Sequence, residues 1–213
     1  LENVLLLDCD VEEPNAHLLL EPKLTKQNPV FVTIPSIQDD KCDYCGKCAD
    51  FCKFNALFVA NKKVMVFPQI CTSCGGCKII CPKDAIADKK REIGKIIIGS
   101  AKDIGLIYGE LNIGEPMAIP IIKAVKNKID PLETRVVIVD SPPGTSCPVI
   151  ETVLGSDFTI LVTEPTPFGL HDLKIAVEVL RKLKIPFGVV INQSDIGDLQ
   201  VHNFCDRNFI PIL

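Results

Sequence analysis

Eight cysteines in the first half of the chain have a spacing that suits a metal cofactor. The pattern Cys-x-x-Cys-x-x-Cys-x-x-x-Cys runs from Cys42 to Cys52 and again from Cys71 to Cys81. Three thiolates at this spacing can wrap a loop around one face of a cubane cluster, while the fourth, on a following helical turn, points towards a second cluster. The sequence therefore predicts two [4Fe-4S] clusters.

The same rule assigns ligands to each predicted cluster, because the fourth cysteine of one half completes the site of the other half. One set is Cys42, Cys45, Cys48 and Cys81, and the second is Cys71, Cys74, Cys77 and Cys52. Two four-cysteine zinc sites are the alternative, since Cys-x-x-Cys also suits tetrahedral zinc. Zinc sites do not require a third and a fourth cysteine at this spacing, so the pattern favours clusters.

This repeated segment resembles the bacterial ferredoxins that hold two such clusters. Gly46 and Gly75 occupy matching positions, where a glycine lets the backbone approach a cluster and donate N–H hydrogen bonds. The segment departs from the ferredoxin pattern at one place. Pro82 stands after the last cysteine as the pattern requires, but Lys53 takes the equivalent place in the first half. We expect Lys53 to change the local electrostatics without loss of the cluster.

The rest of the chain alternates between short apolar runs and segments of helical period. Continuous apolar runs are typical of parallel strands that helices cover on both faces. Candidate strands are Val4–Leu7, Val30–Ile34, Val136–Val139, Thr159–Val162 and Phe187–Ile191. Helical period occurs at Ile121, Ile122, Val125 and Ile129, and at Leu173, Ala176, Val177, Leu180 and Leu183. The alternation predicts an α/β fold with a doubly wound parallel sheet over 1–36 and 93–213, interrupted by a small α+β ferredoxin domain at 37–92.

Three of the candidate strands end in polar residues, at the edge where open α/β sheets bind ligands. Asp8 and Asp10 follow the first strand, Asp140 the third, and Asn192 the fifth. Carboxylates at this place suit Mg²⁺ or the positioning of water beside a phosphate. Each aspartate taken alone could equally be a helix cap, because aspartate is favoured at N-caps.

The order of these segments resembles the ParA/MinD-type P-loop ATPases that carry an inserted ferredoxin domain, relatives of the nitrogenase iron protein. The matching segments are LLLDCDVEEPN, the cysteine repeat, IGEPMAIP, VVIVDSPPGT, LVTEPTPFGLHDL and VVINQSD. The resemblance implies ATP and Mg²⁺ as ligands and a homodimer that forms around the nucleotide. It implies that Asp10 orients the attacking water with Asp8 near Mg²⁺, and that Asp140 is the Walker B aspartate. By the same resemblance, Gly144 lies in the switch II turn and Asn192 binds the adenine.

A Gly-rich phosphate-binding loop ending in Gly-Lys-Ser/Thr does not occur in the 213 residues. In the resembling family this loop precedes the strand with which the present sequence opens. We therefore expect the N-terminal P-loop and the C-terminal end of the domain to lie outside this sequence. The 213 residues alone should bind nucleotide weakly or not at all, because the phosphates lack their cradle, whereas the complete protein should bind MgATP.

Several reactive or charged residues fall outside these patterns. Cys9, Cys147 and Cys205 are most simply small buried hydrophobic residues. Cys147 has an alternative role, because the resembling nitrogenase iron protein has a cysteine at this distance after the Walker B aspartate that holds a cluster shared across its dimer. The Lys-Lys-Arg run at 89–91 is predicted to be solvated, or else to dock an acidic redox partner.

Composition limits the class of protein. The formal net charge of −4 leaves no basic stripe for nucleic acid, and no apolar run reaches the roughly 18 residues of a membrane span. We therefore expect no nucleic-acid binding and no direct membrane insertion. Eleven cysteines without a signal-peptide pattern favour metal over disulfides, and hence a reducing, cytoplasmic location.

The sequence leaves two main functional hypotheses. The first is an ATPase that couples ATP binding and hydrolysis to iron-sulfur redox chemistry or to electron transfer with a redox partner protein. The second is an electron-transfer or cluster-carrier module in which the α/β part is only a scaffold. A partition-type protein that moves on DNA or membrane is a third hypothesis, which the acidic charge and the lack of an amphipathic tail disfavour.

Overall fold

The computed structural model describes residues 3–130 and 136–213, in which strands and helices alternate. The strands are β1 Val4–Asp8, β2 Lys23–Ile37, β3 Leu57–Ala60, β4 Lys63–Val66, β5 Ile86–Ala101, β6 Ile104–Leu111, β7 Val136–Asp140, β8 Thr159–Thr163 and β9 Phe187–Ile191. The helices are α1 Ala16–Leu20, α2 Lys47–Phe51, α3 Gly76–Ile80, α4 Ile119–Lys126, α5 Cys147–Val153, α6 Pro167–Leu183 and α7 Gln200–Arg207, with a 3-10 turn at Pro68–Ile70. Within these residues every helix is too short or too polar to span a bilayer.

The main sheet has the strand order β2-β5-β6-β1-β7. β1 is parallel to both β6 and β7, while β5 is antiparallel to its two neighbours, β2 and β6. β8 and β9 form a separate parallel pair among the described residues. The predicted α/β class is confirmed with one correction. The strand predicted at Val30–Ile34 belongs to antiparallel β2, because the inserted segment returns the chain directly to its side as β5.

The core forms where the first strand meets helix α4. Leu5 and Leu7 belong to one buried cluster with Ile121 and Val125 of α4. Leu6 packs against a second cluster on the opposite face of the sheet, which α1 covers. Burial on both faces explains why this strand is apolar throughout. The helical period predicted for the residues of α4 and of α6 is confirmed.

A long antiparallel ribbon of β2 and β5, which we call the stalk, is part of the main sheet at one end and carries the cysteine repeat at the other. Its two strands pair from Lys23 opposite Ser100 to Ile37 opposite Ile86. The repeat lies between residues 38 and 85, at the far end of the stalk. β5 passes through the predicted domain boundary at residue 92, and the domain limits stay a prediction.

The stalk has a largely buried ion pair near its base. Arg91 on β5 makes two salt-bridge contacts with Glu115, in the loop before α4. The two side chains are only 17% and 5% exposed. The prediction of a solvated charge run is therefore wrong for Arg91, whereas Lys89 and Lys90 are exposed. The reason is that β5 lies here against the loop after β6. In that loop the backbone N–H of Asn112 donates to the Ile93 carbonyl oxygen.

Glu115→Ala should destabilise the fold, because it leaves Arg91 without its partner in a largely buried position. Breaking a buried pair costs about 3 kcal/mol, and urea unfolding should show a loss of this order. Glu110→Ala is a matched control, since Glu110 pairs with Lys95 at 3.1 Å on the same sheet with side chains 47% and 37% exposed. An exposed pair contributes less than about 1 kcal/mol, so equal losses in the two variants would contradict the prediction.

Two strands leave apolar residues uncovered. Ile138 on β7 is 42% exposed, and Val162 on β8 is 68% exposed. Among residues 3–130 and 136–213, β7 pairs only with β1, and β8 only with β9. One edge of each of these strands therefore has no neighbouring strand within this part of the chain.

Candidate functional site

The eight cysteines of the repeat line two cavities at the end of the stalk. One cavity is bordered by Cys42, Cys45, Cys48 and Cys81, and the other by Cys52, Cys71, Cys74 and Cys77. The structure thus brings together the same two crosswise sets that the spacing predicts, and their role as cluster ligands stays a prediction. In the part of the chain that is described, no three His, Cys, Asp or Glu side chains converge on a single metal-ion position.

Two glycines begin the short helices that carry the third cysteine of each half. Gly46 and Gly75 precede α2 and α3 with φ angles of 82° and 73°, in the left-handed region that favours glycine. After each helix, the sulfur of the fourth cysteine accepts a backbone N–H bond at 3.3 Å, from Ala56 in one half and Ala85 in the other. Such N–H···S bonds stabilise thiolates, so the donor set fits an iron-sulfur cluster.

Burial makes the third cysteine of each half harder to ionise in the absence of a metal. Desolvation raises the pKa of the Cys48 thiol and of the Cys77 thiol above the ordinary value. Iron-sulfur clusters bind the thiolate form, so their binding must release these protons. The positive charge of the irons would offset the cost of burying the thiolates.

The two cysteine sets differ in the charges around them. At the first set, the Asp43 carboxylate accepts a hydrogen bond from the backbone N–H of Cys45 at 3.2 Å and lies 3.9 Å from the ammonium group of Lys83. The second half has Thr72 in place of Asp43, and Lys53 lines its cavity. Charge and hydrogen bonding tune cluster potentials, so clusters at the two sets would experience different fields.

Three aspartates meet at the carboxyl ends of β1 and β7. Asp8 and Asp140 are register partners on these adjacent parallel strands, and the backbone N–H of Cys9 donates to the Asp140 carbonyl oxygen at 2.9 Å. Asp8 is fully buried, and its carboxylate accepts backbone N–H bonds from Asp10 and from residues 15–16 at 3.0 or 3.1 Å. Asp8 therefore holds the loop that leads into α1.

A cavity of about 290 Å³ opens beside these aspartates. Its walls include Asp10, Glu12 and Glu13 from the loop after β1, and Pro142 and Pro143 from the loop after β7. Burial, followed by the charges of Asp8 and Asp10, raises the pKa of Asp140. A divalent cation would relieve this repulsion, and carboxylate oxygens are preferred ligands of Mg²⁺. The carboxylates of Asp10, Glu12 and Glu13 on the cavity wall are therefore of the type that magnesium prefers, but within the described residues no three of them converge on one position.

Two further predicted nucleotide-binding residues lie in different places. Gly144 lies in the exposed loop after β7, where its φ angle is 89°. Asn192 follows β9 and is exposed, and its backbone N–H donates to the Thr163 carbonyl oxygen at 2.8 Å. Asn192 is not among the described residues that border the cavity beside Asp10. The structure thus gathers the aspartates at one edge and leaves Asn192 apart from their cavity.

Asp140→Asn should stabilise the fold at neutral pH. The pKa of Asp140 is higher in the folded protein than in the unfolded chain, so the ionised carboxylate lowers native stability. The gain from the amide should be less than about 1 kcal/mol, because Asp140 is exposed at the end of β7 and solvent screens its charge. The gain should shrink as the pH falls through the folded pKa and vanish below the unfolded pKa of about 4. Urea unfolding at pH 7 and at pH 3 measures it, and equal gains at both would contradict the prediction.

The cysteines outside the repeat divide into two kinds. Cys9 and Cys205 are fully buried, as predicted, and burial raises the pKa of the Cys9 thiol to about 12. Cys147 is exposed, so its predicted burial is wrong. The reason is its place in the first turn of α5, between Ser146 and Pro148, which both line the open cavity beside Asp10.

Sequence reasoning missed the acidic side chains that border this cavity together with Asp10. Glu12 and Glu13 follow Asp10 at the end of the first strand, so their position could have been anticipated. It also missed Lys126, whose ammonium group donates to three carbonyl oxygens near the end of α5 at 2.6–2.8 Å. Nothing in the local pattern marks Lys126, because its partners lie 25 to 28 residues further along the chain.

Known proteins are similar in sequence to the cysteine segment and to most of the length of this chain. Residues 35–58 match the family described as 4Fe-4S binding domain, which confirms the ferredoxin type of the first half of the repeat. The chain is 34% identical over 201 residues to the uncharacterized protein MJ0579 of Methanocaldococcus jannaschii, covering 93% of this chain and 72% of that protein. The chain belongs to the MJ0579 family. MJ0578 of the same organism is 35% identical over 198 residues, covering 92% of this chain and 70% of that protein.

This MJ0579-family chain also has similar solved structures. One is the septum site-determining protein MinD of Pyrococcus horikoshii complexed with Mg-ADP, at 14% identity and a TM-score of 0.48, with 100% of this chain and 66% of that chain covered. Another is the cell division ATPase MinD of Pyrococcus furiosus, at 13% identity and a TM-score of 0.48, with 99% and 68% covered. These proteins are of the class that the sequence resembles.

Proposed function

We propose that the complete protein is a MinD/ParA-like ATPase that couples ATP binding and hydrolysis to the redox state of iron-sulfur clusters. The observation that carries this proposal is the meeting of Asp8, Asp10 and Asp140 at the carboxyl ends of two parallel strands, beside a cavity of about 290 Å³. The same chain contains a 4Fe-4S binding domain match over residues 35–58. One molecule would thus combine a phosphate-chemistry site with a redox module.

The strand-edge residues have different roles in this proposal. Asp8 fixes the loop after β1, because its carboxylate accepts hydrogen bonds from three backbone N–H groups. Asp10 borders the cavity and would orient a water molecule there. Asp140, at the end of the adjacent strand, would hold Mg²⁺. Gly144 would let the loop after β7 respond to the nucleotide, and Asn192 would bind the adenine. Bound MgATP supplies the phosphoryl group, and the protein contributes positioning and electrostatics.

The phosphate-binding loop would come from a part of the complete protein beyond these 213 residues. Within residues 3–130 and 136–213, β7 and β8 each have one edge without a neighbouring strand, and this supports the proposal because a further strand could pair with both edges. Such a strand would also pack near Ile138 and Val162, which are exposed here. A strand in that place would lead its following loop to the carboxyl edge, next to Asp140.

Two [4Fe-4S] clusters at the crosswise cysteine sets would form the redox end, in exchange with a redox partner protein. The complete protein would form a homodimer around the nucleotide. The stalk offers the physical link between the two ends. Through Arg91 it contacts the loop of Glu115, and this loop leads into the segment in which Ala118 and Ile122 border the cavity beside Asp10.

The test is the rate of ATP hydrolysis by the complete protein, purified without oxygen and assayed with oxidised and with dithionite-reduced clusters. We expect Mg²⁺-dependent hydrolysis whose rate differs between the two states. A rate that is the same in both states would reject the coupling and leave the clusters as a separate unit. Absence of hydrolysis would reject the ATPase and favour the electron-transfer module.

A further inference from the structure

A buried hydroxyl group in the second cysteine loop has no hydrogen-bond partner among the described residues. It belongs to Ser73, which lies between Cys71 and Cys74. Burying a hydroxyl without a partner is costly, so most buried polar side-chain atoms in proteins are hydrogen-bonded. Ser73 borders the cavity of the second cysteine set, where a cluster is proposed. The hydroxyl therefore indicates a hydrogen-bond acceptor in this cavity, and the sulfur atoms of a cluster are such acceptors.

The first cysteine loop has a different side chain at the matching position. Tyr44 lies there and borders the first cavity. The φ angles of Tyr44 and Ser73 are 59° and 58°, so the two residues share this backbone angle. A serine hydroxyl is bonded directly to Cβ, whereas a tyrosine hydroxyl is at the far end of the ring. Tyr44 therefore cannot place a donor where Ser73 places one, and the two cysteine sets differ in one close donor.

The charged side chains around the two cavities separate the sets less clearly. Those that border the first cavity are Asp43, Lys47 and Lys83, and those that border the second are Asp50, Lys53, Lys78 and Asp88. Both cavities thus have charges of both signs, and all these side chains are exposed. Solvent and salt screen exposed charges, whereas a buried hydrogen bond is strengthened by its low-dielectric surroundings. The buried hydroxyl is therefore the stronger distinction between the two sets.

We infer that Ser73 raises the reduction potential of the second cluster by donating a hydrogen bond to one of its sulfur atoms. A reductant adds one electron to the cluster and makes its sulfur atoms more negative, so the O–H···S bond is stronger in the reduced state. The second cluster would accept an electron before the first. The electron would then rest beside the stalk, because Thr33 and Ile34 of β2 border the same cavity. The inference rests on the proposed function in one respect, namely that the second set holds a cluster.

Ser73→Ala removes the hydroxyl and keeps Cβ. The anaerobically reconstituted chain is titrated with dithionite, and electron paramagnetic resonance follows the reduced clusters. At a fixed potential, the ratio of reduced to oxidised second cluster should fall about tenfold, which is about 59 mV for a one-electron couple. The same shift should occur when Ser73→Ala is combined with Cys45→Ala and Cys81→Ala, because these changes leave the second set complete.

Two matched variants serve as controls. Thr72→Ala removes a neighbouring hydroxyl that borders the same cavity but is exposed, and it should leave both potentials unchanged. Ser73→Ala combined with Cys52→Ala and Cys74→Ala leaves only the first set complete, and the serine change should then have no effect. No shift in Ser73→Ala, or an equal shift in Thr72→Ala, would overturn the inference.

Iron analysis of the same samples separates this inference from the proposed function. About eight irons per chain with an unchanged potential in Ser73→Ala would overturn the inference alone. About four irons in the unmodified chain would overturn it together with the second cluster. The titration does not involve ATP, so its outcome is independent of the proposed ATPase.

Discussion

Cys45→Ala combined with Cys81→Ala should leave one intact [4Fe-4S] cluster, whereas Cys74→Ala combined with Cys81→Ala should leave none. The first pair of changes affects a single cavity, because Cys45 and Cys81 both line it. The second pair affects both cavities, since Cys74 lines the other one. After anaerobic reconstitution, iron should be about four atoms per chain in the first double variant and near zero in the second, against about eight in the unmodified chain.

The two double variants are closely matched, so a general loss of stability does not distinguish them. Cys45 and Cys74 hold equivalent places in the repeat, and both are exposed. Cys147→Ala is a further control, because this exposed cysteine lies outside both sets, and it should retain about eight irons. If each half bound its own cluster, the iron contents of the two double variants would be exchanged, and the crosswise assignment would be wrong.

The grouping of the cysteines around two cavities could be predicted because most of the information is local. Three ligands of each set lie within seven residues of chain, and the repeat relates the fourth ligand of one half to that of the other. The position of the stalk beside the second cysteine set could not be predicted. Thr33 on the stalk and Phe54 after α2 border the same cavity, and no local pattern reports the packing of segments so far apart in the chain.

The strands differ in how well the sequence reveals them, and burial is the reason. β1 is covered on both faces, so its unbroken apolar run was sufficient to predict it. β5 carries five charged residues at 88–92 and three isoleucines at 96–98, and its first half pairs with β2 alone, beyond the end of β6. The pairing of β5 with β2 joins residues on either side of the whole cysteine repeat, and this long-range contact stabilises a strand that its composition does not indicate.

The strand-end aspartates show the limit of reasoning from residue type. An aspartate in this place can hold a metal ion or cap a backbone segment, and the sequence left both roles open for each of them. In the structure, both carboxylate oxygens of Asp8 accept hydrogen bonds from backbone N–H groups. Asp10, two residues later, borders the cavity. The two roles therefore fall to neighbouring residues, and only the path of the loop after β1 decides which aspartate takes which role.

Asp10→Asn in the complete protein should reduce the rate of ATP hydrolysis at least about 100-fold while leaving the iron content unchanged. The amide has the size of the carboxylate but lacks its charge, so it would orient and polarise a water molecule poorly. Asp10 is partly exposed and accepts no hydrogen bond that holds the loop in the described structure, where Asp8 has that task. The fold should therefore survive the change, and far-UV circular dichroism checks this directly.

Two comparisons decide whether the loss belongs to chemistry or to structure. Asp103→Asn, in the turn between β5 and β6, removes an exposed carboxylate far from the strand edge in sequence and should keep full activity. Asp8→Asn should lower the free energy of unfolding, because an amide nitrogen cannot accept the backbone N–H bonds that the buried carboxylate accepts. If Asp10→Asn retained activity within about tenfold of the unmodified protein, Asp10 would not be the residue that orients the water. The proposal would then have to place that task on Glu12 or Glu13, which border the same cavity.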